Sequence, residues 1–156
     1  MKTETMIVKL KQAISNVFET MFFQPIQHMQ MKDRLDGWLA DERSLIGATL
    51  RFSGPIAGTY YLLIPAALAR GVTANFLGFE ADEVNDVQQK DTVKEALNMI
   101  GGYVLSTIED SGRFSIDIPQ IIAEEALHVD EIGKLQGEFL YIETEENRIA
   151  AGIVFN

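Results

Sequence analysis

The chain has 156 residues, 23 Asp plus Glu against 13 Lys plus Arg, and a formal net charge of −10; this length is read as one domain, residues 1–156, able to bury a core without disulfides. That charge excludes nucleic acid and anionic membrane surfaces as partners, because binding to either draws on Lys and Arg. The absence of cysteine excludes disulfides, thiolate catalysis and cysteine zinc sites, and it fits a reducing cytoplasm. The longest apolar run, Tyr60 to Ala69, is interrupted by Pro65 and falls short of the roughly 20 residues that span a bilayer. The amino-terminal residues mix acidic and basic side chains and lack a signal-peptide core, so a soluble, cytoplasmic protein is expected.

In chain order, Ile7, Leu10, Ile14, Val17 and Met21 recur at spacings of three and four, with Phe18 and Phe22 widening the stripe. This predicts an amphipathic helix ending before Pro25. Residues 24–43 are mixed and read as an excursion with short local structure. Ile46, Ala48, Leu50 and Phe52 alternate as a half-buried strand, Gly54-Pro55 begins a turn, and Gly58 to Ile64 completes a hairpin. Pro65 opens a helix through about Phe76, stopped by Gly78. A long helix follows from about Val87 to Glu109. Phe114, Ile116 and Ile118 alternate as a third strand before Pro119, residues 120–134 read as a connection with helical character, and strands follow at Glu138–Glu143 and Arg148–Phe155. The expected fold is α+β, an antiparallel β-sheet with helices packed on one side, in the order α-β-β-α-α-β-β-β.

The long helix carries the chemical signal. At about 100° per residue, Val93, Leu97, Ile100, Val104 and Ile108 form a core stripe, while Asp91, Glu95, Asn98 and Gly102 share the opposite side. A carboxylate and a carboxamide thus stand at i and i+3, neighbours on a helix surface. Gly102 costs a helix interior roughly 1 kcal/mol relative to Ala; a docking surface that needs close approach accounts for it, as does an incidental glycine on a wet face. Met99 and Leu105 lie beside this face as apolar groups for a partner to cover.

The segment Asp91-Thr92-Val93-Lys94-Glu95-Ala96-Leu97-Asn98-Met99-Ile100-Gly101-Gly102 resembles the signature helix of the CheC/CheX/FliY family of chemotaxis phosphatases. That signature is Asp or Ser, three residues, Glu, two residues, Asn, and a glycine one turn later. Gly54-Pro55-Ile56-Ala57-Gly58, Leu68-Ala69, Phe76-Leu77-Gly78 and Val17-Phe18-Glu19-Thr20 resemble other parts of the family, so the likeness runs from about residue 10 to residue 120. Many members have glycine immediately before the Asn, where this chain has Leu97, and Pro119 stands about two residues nearer than the family's downstream proline. The first helix reads Asn16-Val17-Phe18-Glu19, the reverse of the order in CheC-type proteins, which leaves one motif per chain, as in the CheX branch.

The resemblance implies hydrolysis of the aspartyl phosphate on a response-regulator receiver domain, with Asn98 positioning the water and Glu95 docking the partner. It implies no cofactor for this chain and a magnesium ion in the partner. Asp91, Met99, Gly102 and Leu105 are the expected partner-binding residues. The alternative is a non-catalytic adaptor of the same fold that binds a receiver domain or another chemotaxis protein; a small-molecule or structural domain of this architecture is a third reading. One motif per chain implies a homodimer, and Ile149, Ala151, Ile153 and Phe155 suggest an apolar strand near an edge for pairing. His28 with Met29 and Met31 are residue types of a soft-metal site, but a polar-apolar loop or packing segment is the simpler reading; Asp82, Glu83 and Asp86 lack the EF-hand spacing of calcium ligands and read as a solvated helix entry. No P-loop, Rossmann fingerprint or nucleophile elbow occurs.

Overall fold

The computed structural model describes residues 3–108 and 111–156. Helix α1 (Thr3–Asn16) buries Met6, Ile7, Leu10, Ala13 and Ile14 on one face. Its register then changes, because Val17–Met21 form a π-turn in which the Phe22 N–H donates to the Val17 carbonyl at 3.2 Å, five residues back. The wider turn carries Phe18 and Phe22 into the core and swings Met21 out to solvent, which corrects the expected stripe at that residue.

The excursion expected at residues 24–43 contains a strand, β1 (His28–Arg34), followed by the buried Leu35 and Leu39. Strands β2 (Leu45–Ser53) and β3 (Gly58–Pro65) form the expected hairpin, in register from Leu45–Pro65 to Phe52–Gly58. Helix α2 (Ala66–Leu77) starts after Pro65 and ends at Gly78, whose φ of 71° is left-handed and whose N–H donates to the Ala74 carbonyl. Helix α3 (Asp86–Thr107) is capped by Asn85: the Gln88 N–H donates to Asn85 Oδ1 at 2.8 Å, and the Asn85 N–H donates back to Gln88 Oε1 at 3.0 Å. The helix stops at Thr107; Glu109, its expected last residue, lies outside the described residues.

The expected third strand is reduced to β4 (Ser115–Ile116), which pairs with β2. The chain bulges at Asp117–Pro119, where Asp117 Oδ1 accepts from the Ile118 N–H at 2.8 Å, and rejoins β2 as β5 (Gln120–Ile121). The connection beyond holds a short helix, α4 (Val129–Ile132), before β6 (Gln136–Glu143) and β7 (Arg148–Phe155). Among the described residues these strands make one antiparallel sheet in the order β1-β6-β7-β3-β2-β4, with β5 also on β2. The α+β class with helices on an antiparallel sheet is as expected. Strand β7, however, lies centrally between β6 and β3, so it is not the edge proposed for pairing; Ile149 to Ile153 are buried on both faces.

One core lies between the helices and the sheet. A second, on the opposite face, contains Leu35, Leu39, Leu63, Ile132, Phe139 and Ala150. Trp38 closes this side: its ring stacks on Tyr141 at 4.6 Å, its Nε1–H donates to the Ile149 carbonyl at 2.9 Å, and Arg148 Cζ lies 4.4 Å from the ring centroid.

Tyr60 is fully buried beneath α3, and its phenol has no hydrogen-bond partner among the described residues. Burial pushes that phenol's pKa up. Tyr60→Phe is therefore expected to raise unfolding free energy by about 1–2 kcal/mol, since an unsatisfied buried hydroxyl is removed. Because the phenol's pKa is raised in the folded state, stability does not depend on its titration below the ordinary value of about 10 and falls as pH rises further, where the unfolded chain gives up the proton first. Denaturant titrations from pH 8 to 11 should show a steeper decline above about pH 10 in the wild type than in Tyr60→Phe, the difference approaching one proton's slope of about 1.4 kcal/mol per pH unit; the variant keeps Tyr141, whose phenol is also pushed up by burial and by Asp36 and Asp33. Equal slopes would count against this account.

Candidate active site

The capped start of α3 sets its rotation, and the core stripe holds it: Val93, Leu97, Ile100, Val104 and Ile108 are all buried. The opposite side consequently faces outward. Asp91 and Glu95 are exposed there, and Asn98, Met99 and Gly102 are half-buried. These five residues share one continuous helix face, as the periodicity predicts.

Leu105 departs from the expectation. It is buried in the main core and offers no apolar surface to a partner. Gly101, Val104, Leu105 and Ile108 repeat at i, i+3, i+4 and i+7 and are all buried, so the core face widens toward the end of α3. The outward face is correspondingly limited to the earlier turns. Leu97, which replaces a glycine frequent in the resembling family, is 1% exposed on the core side and does not obstruct Asn98.

Two features were missed in the sequence. Asp91 is ion-paired to Lys94, Nζ to Oδ1 at 3.5 Å, an i,i+3 pair that the acidic motif drew attention away from. Gly101, not singled out, is the glycine that packing requires: an added Cβ would fall 2.7 Å from Leu50 Cδ2 and 3.3 Å from two ring atoms of Tyr60. At Gly102 an added Cβ would meet nothing within 4 Å, so no internal contact explains that glycine. The Gly101-Gly102 doublet was the available signal, since the wheel turns Gly101 toward the sheet.

Among the described residues, no group hydrogen bonds or ion-pairs with the side chain of Glu95 or Asn98. The carboxamide retains an acceptor oxygen and two donors, and the carboxylate retains its acceptor positions. The open cavity at the β2–β3 turn, about 630 Å³, and that beside Glu42 and His128, about 410 Å³, include no residue of α3. An open helix face whose polar groups are unpaired among the described residues suits contact with a partner protein better than enclosure of a small substrate. Among the described residues no three His, Asp or Glu side chains gather as metal ligands, and no helix is long and apolar enough to cross a membrane.

The sequence model of the family described as Chemotaxis phosphatase CheX matches residues 46–143. No curated protein matches this chain. Among solved structures, the chain is similar to the chemotaxis protein CheX from Vibrio vulnificus, with 16% identity, a TM-score of 0.71, and 97% and 96% of the two chains covered. A chemotactic CheC-like protein from Shewanella oneidensis MR-1 gives 18% identity and a TM-score of 0.72, with 99% of this chain and 100% of that chain covered. The CheX–CheY–BeF3–Mg+2 complex from Borrelia burgdorferi gives 18% identity and a TM-score of 0.70, with 96% and 97% covered. At these identities the likeness shows a shared fold.

Proposed function

Since the chain belongs to the chemotaxis phosphatase CheX family, we propose that it hydrolyses the aspartyl phosphate of a response-regulator receiver domain, in chemotaxis or a related two-component pathway of the cytoplasm. The observation that carries this reading is the pair Glu95 and Asn98, side by side on the outward face of α3 and without side-chain partners among the described residues. Water attacks phosphorus, the bond to the aspartyl oxygen breaks, and the products are inorganic phosphate and the regenerated carboxylate. Such a transfer depends on positioning and charge neutralisation more than on covalent work by the protein. Asn98 suits it: its oxygen accepts from the water while its NH2 donates to the phosphoryl group or its surroundings. Glu95 docks against a cation of the receiver, such as a lysine. Magnesium belongs to the receiver's own site, and this chain brings no cofactor.

Phosphate release from a phosphorylated receiver domain, measured with and without this protein, tests the reading. Faster release supports it; tight receiver binding without faster release would make the chain an adaptor. Glu95→Ala is expected to weaken receiver binding about tenfold, the equivalent of about 1.4 kcal/mol for one interfacial charge pair, and to lower turnover as well. Unchanged affinity in a titration would remove Glu95 from the docking role.

The proposed homodimer needs a surface other than β7. Among the described residues the outer side of β1 pairs with no strand, so edge pairing there supplies a self-complementary contact. Light scattering should give about twice the 17.4 kDa chain mass; the single-chain mass throughout a dilution series would exclude the dimer.

A further inference from the structure

Exposed aromatic side chains gather where the end of α1 meets the end of α2. Phe22 packs edge-on against Phe76 with centroids 5.5 Å apart, and Asn75 Nδ2 donates to the Phe22 carbonyl at 3.1 Å. The two helix ends are therefore one unit. Around it Met21, Phe23, Phe76, Leu77 and Phe79 are exposed.

Phe23 is the most telling of these. Its φ is 55° and it is 70% exposed. A bulky L residue in the left-handed region is disfavoured, and a phenyl ring left in water forfeits the stabilisation of burial. Glycine or asparagine closes such a turn at lower cost, as Gly78 does for α2. The left-handed turn itself serves the chain, because it lets the Gln24 N–H donate to the Phe18 carbonyl at 2.7 Å; the exposed phenyl ring has no part in that bond, and its placement at a position that glycine fills at lower cost points to an outside contact.

Charge identifies what that contact is. Residues 12–31 and 71–89, which build this end, contain no Lys or Arg. They carry Glu19, Glu80, Asp82, Glu83 and Asp86, all exposed. The adjoining Arg70 has its guanidinium bound to the carbonyls of Ala81 and Val84 at 3.0 and 2.8 Å, which holds the acidic loop against α2.

We propose that this end of the helical layer docks a basic amphipathic helix of a partner protein. Its apolar stripe covers Phe23, Phe76 and Phe79, and its Lys and Arg meet the carboxylates of the α2–α3 loop. Anionic membrane and nucleic acid are repelled by the same carboxylates, and a second copy of this chain in a two-fold contact brings like charges together. None of Asp91, Glu95, Asn98, Met99 and Gly102 belongs to this surface, so the proposal does not depend on the phosphatase reading.

The test uses a fluorescein-labelled Leu/Lys peptide of about 18 residues, long enough for a stable helix when bound, with leucine at helical spacing. A scrambled peptide of the same composition and a Leu/Glu counterpart serve as controls. By anisotropy at physiological salt, the full chain should bind the Leu/Lys peptide at least tenfold more tightly than either control, with amide shifts concentrated at residues 19–25 and 74–84. Phe23→Gly should weaken binding about tenfold while keeping or raising Tm, since it relieves the turn, and Asp82→Lys should weaken it severalfold. Equal affinity for the scrambled peptide, undiminished binding by Phe23→Gly, shifts confined elsewhere, or no binding would each overturn the proposal. Self-association abolished by Phe23→Gly would assign the surface to a second copy of the chain and overturn it as well.

Discussion

Asn98→Ala is expected to return phosphate release from a phosphorylated receiver domain close to its uncatalysed rate. Removing one oriented polar group at a reacting centre typically lowers turnover by about 10²–10³-fold. Receiver affinity should change by less than about threefold, because a water-orienting amide acts mainly in the transition state. Fold and stability should be preserved, since no internal hydrogen bond to this side chain is lost among the described residues and the side chain is only half-buried. Single-turnover release at saturating protein separates the two effects: a lost rate with retained binding is the expected pattern. Full activity in this variant would defeat the proposed role of the amide.

Two adjacent glycines should answer substitution in opposite ways. Gly101→Val places branched carbons against Leu50 and Tyr60, where even a Cβ falls 2.7 Å and 3.3 Å from existing atoms. Both neighbours are fully buried and have little room to yield. The expected loss is about 2–3 kcal/mol for overpacking, or a fall in Tm of roughly 5–10 °C for a chain of this size. Because α3 must lift from the sheet to accommodate the side chain, Asn98 shifts with it and turnover falls too. Gly102→Ala enters open space and should add up to about 1 kcal/mol of helix stability, while reducing receiver affinity if the partner approaches the backbone there. Thermal melts of both variants, with a receiver titration of Gly102→Ala, check the pair. Equal destabilisation by both would contradict the packing described.

The difference between those glycines marks where sequence reading stops. Helical period alone separated the outward Asp91, Glu95 and Asn98 from the buried Val93, Leu97 and Ile100, because residues three and four apart share a face wherever the helix is placed. The same wheel put Leu105 near the partner face. It is core because the sheet and connections around the later turns of α3 cover a wider arc than the apolar stripe indicates. Likewise Met21 obeyed the α-helical spacing until a π-turn shifted the register by a fraction of a turn.

Strands show a similar division. The β2–β3 hairpin was legible because alternation flanks Gly54-Pro55, and α2 because Pro65 and Gly78 bracket it; both signals are local. Strand β1 was hidden because an edge strand leaves most of its side chains in water, and its alternating Met29 and Met31 are only half-buried. The alternation of β7 was visible, but an alternating pattern is the same at an edge and at the centre. Pairing with β3, more than eighty residues earlier, decided its place, and the second apolar layer around Trp38 and Phe139 covered its other face. The sequence by itself therefore determined the β2–β3 hairpin, α2, and the long helix with its core stripe and carboxylate–carboxamide pair, all set by interactions within a few residues. Strand order, the depth of α3 on the sheet and the strained exposure of Phe23 were decided only by tertiary structure, because they arise from contacts whose partners are distant in the chain.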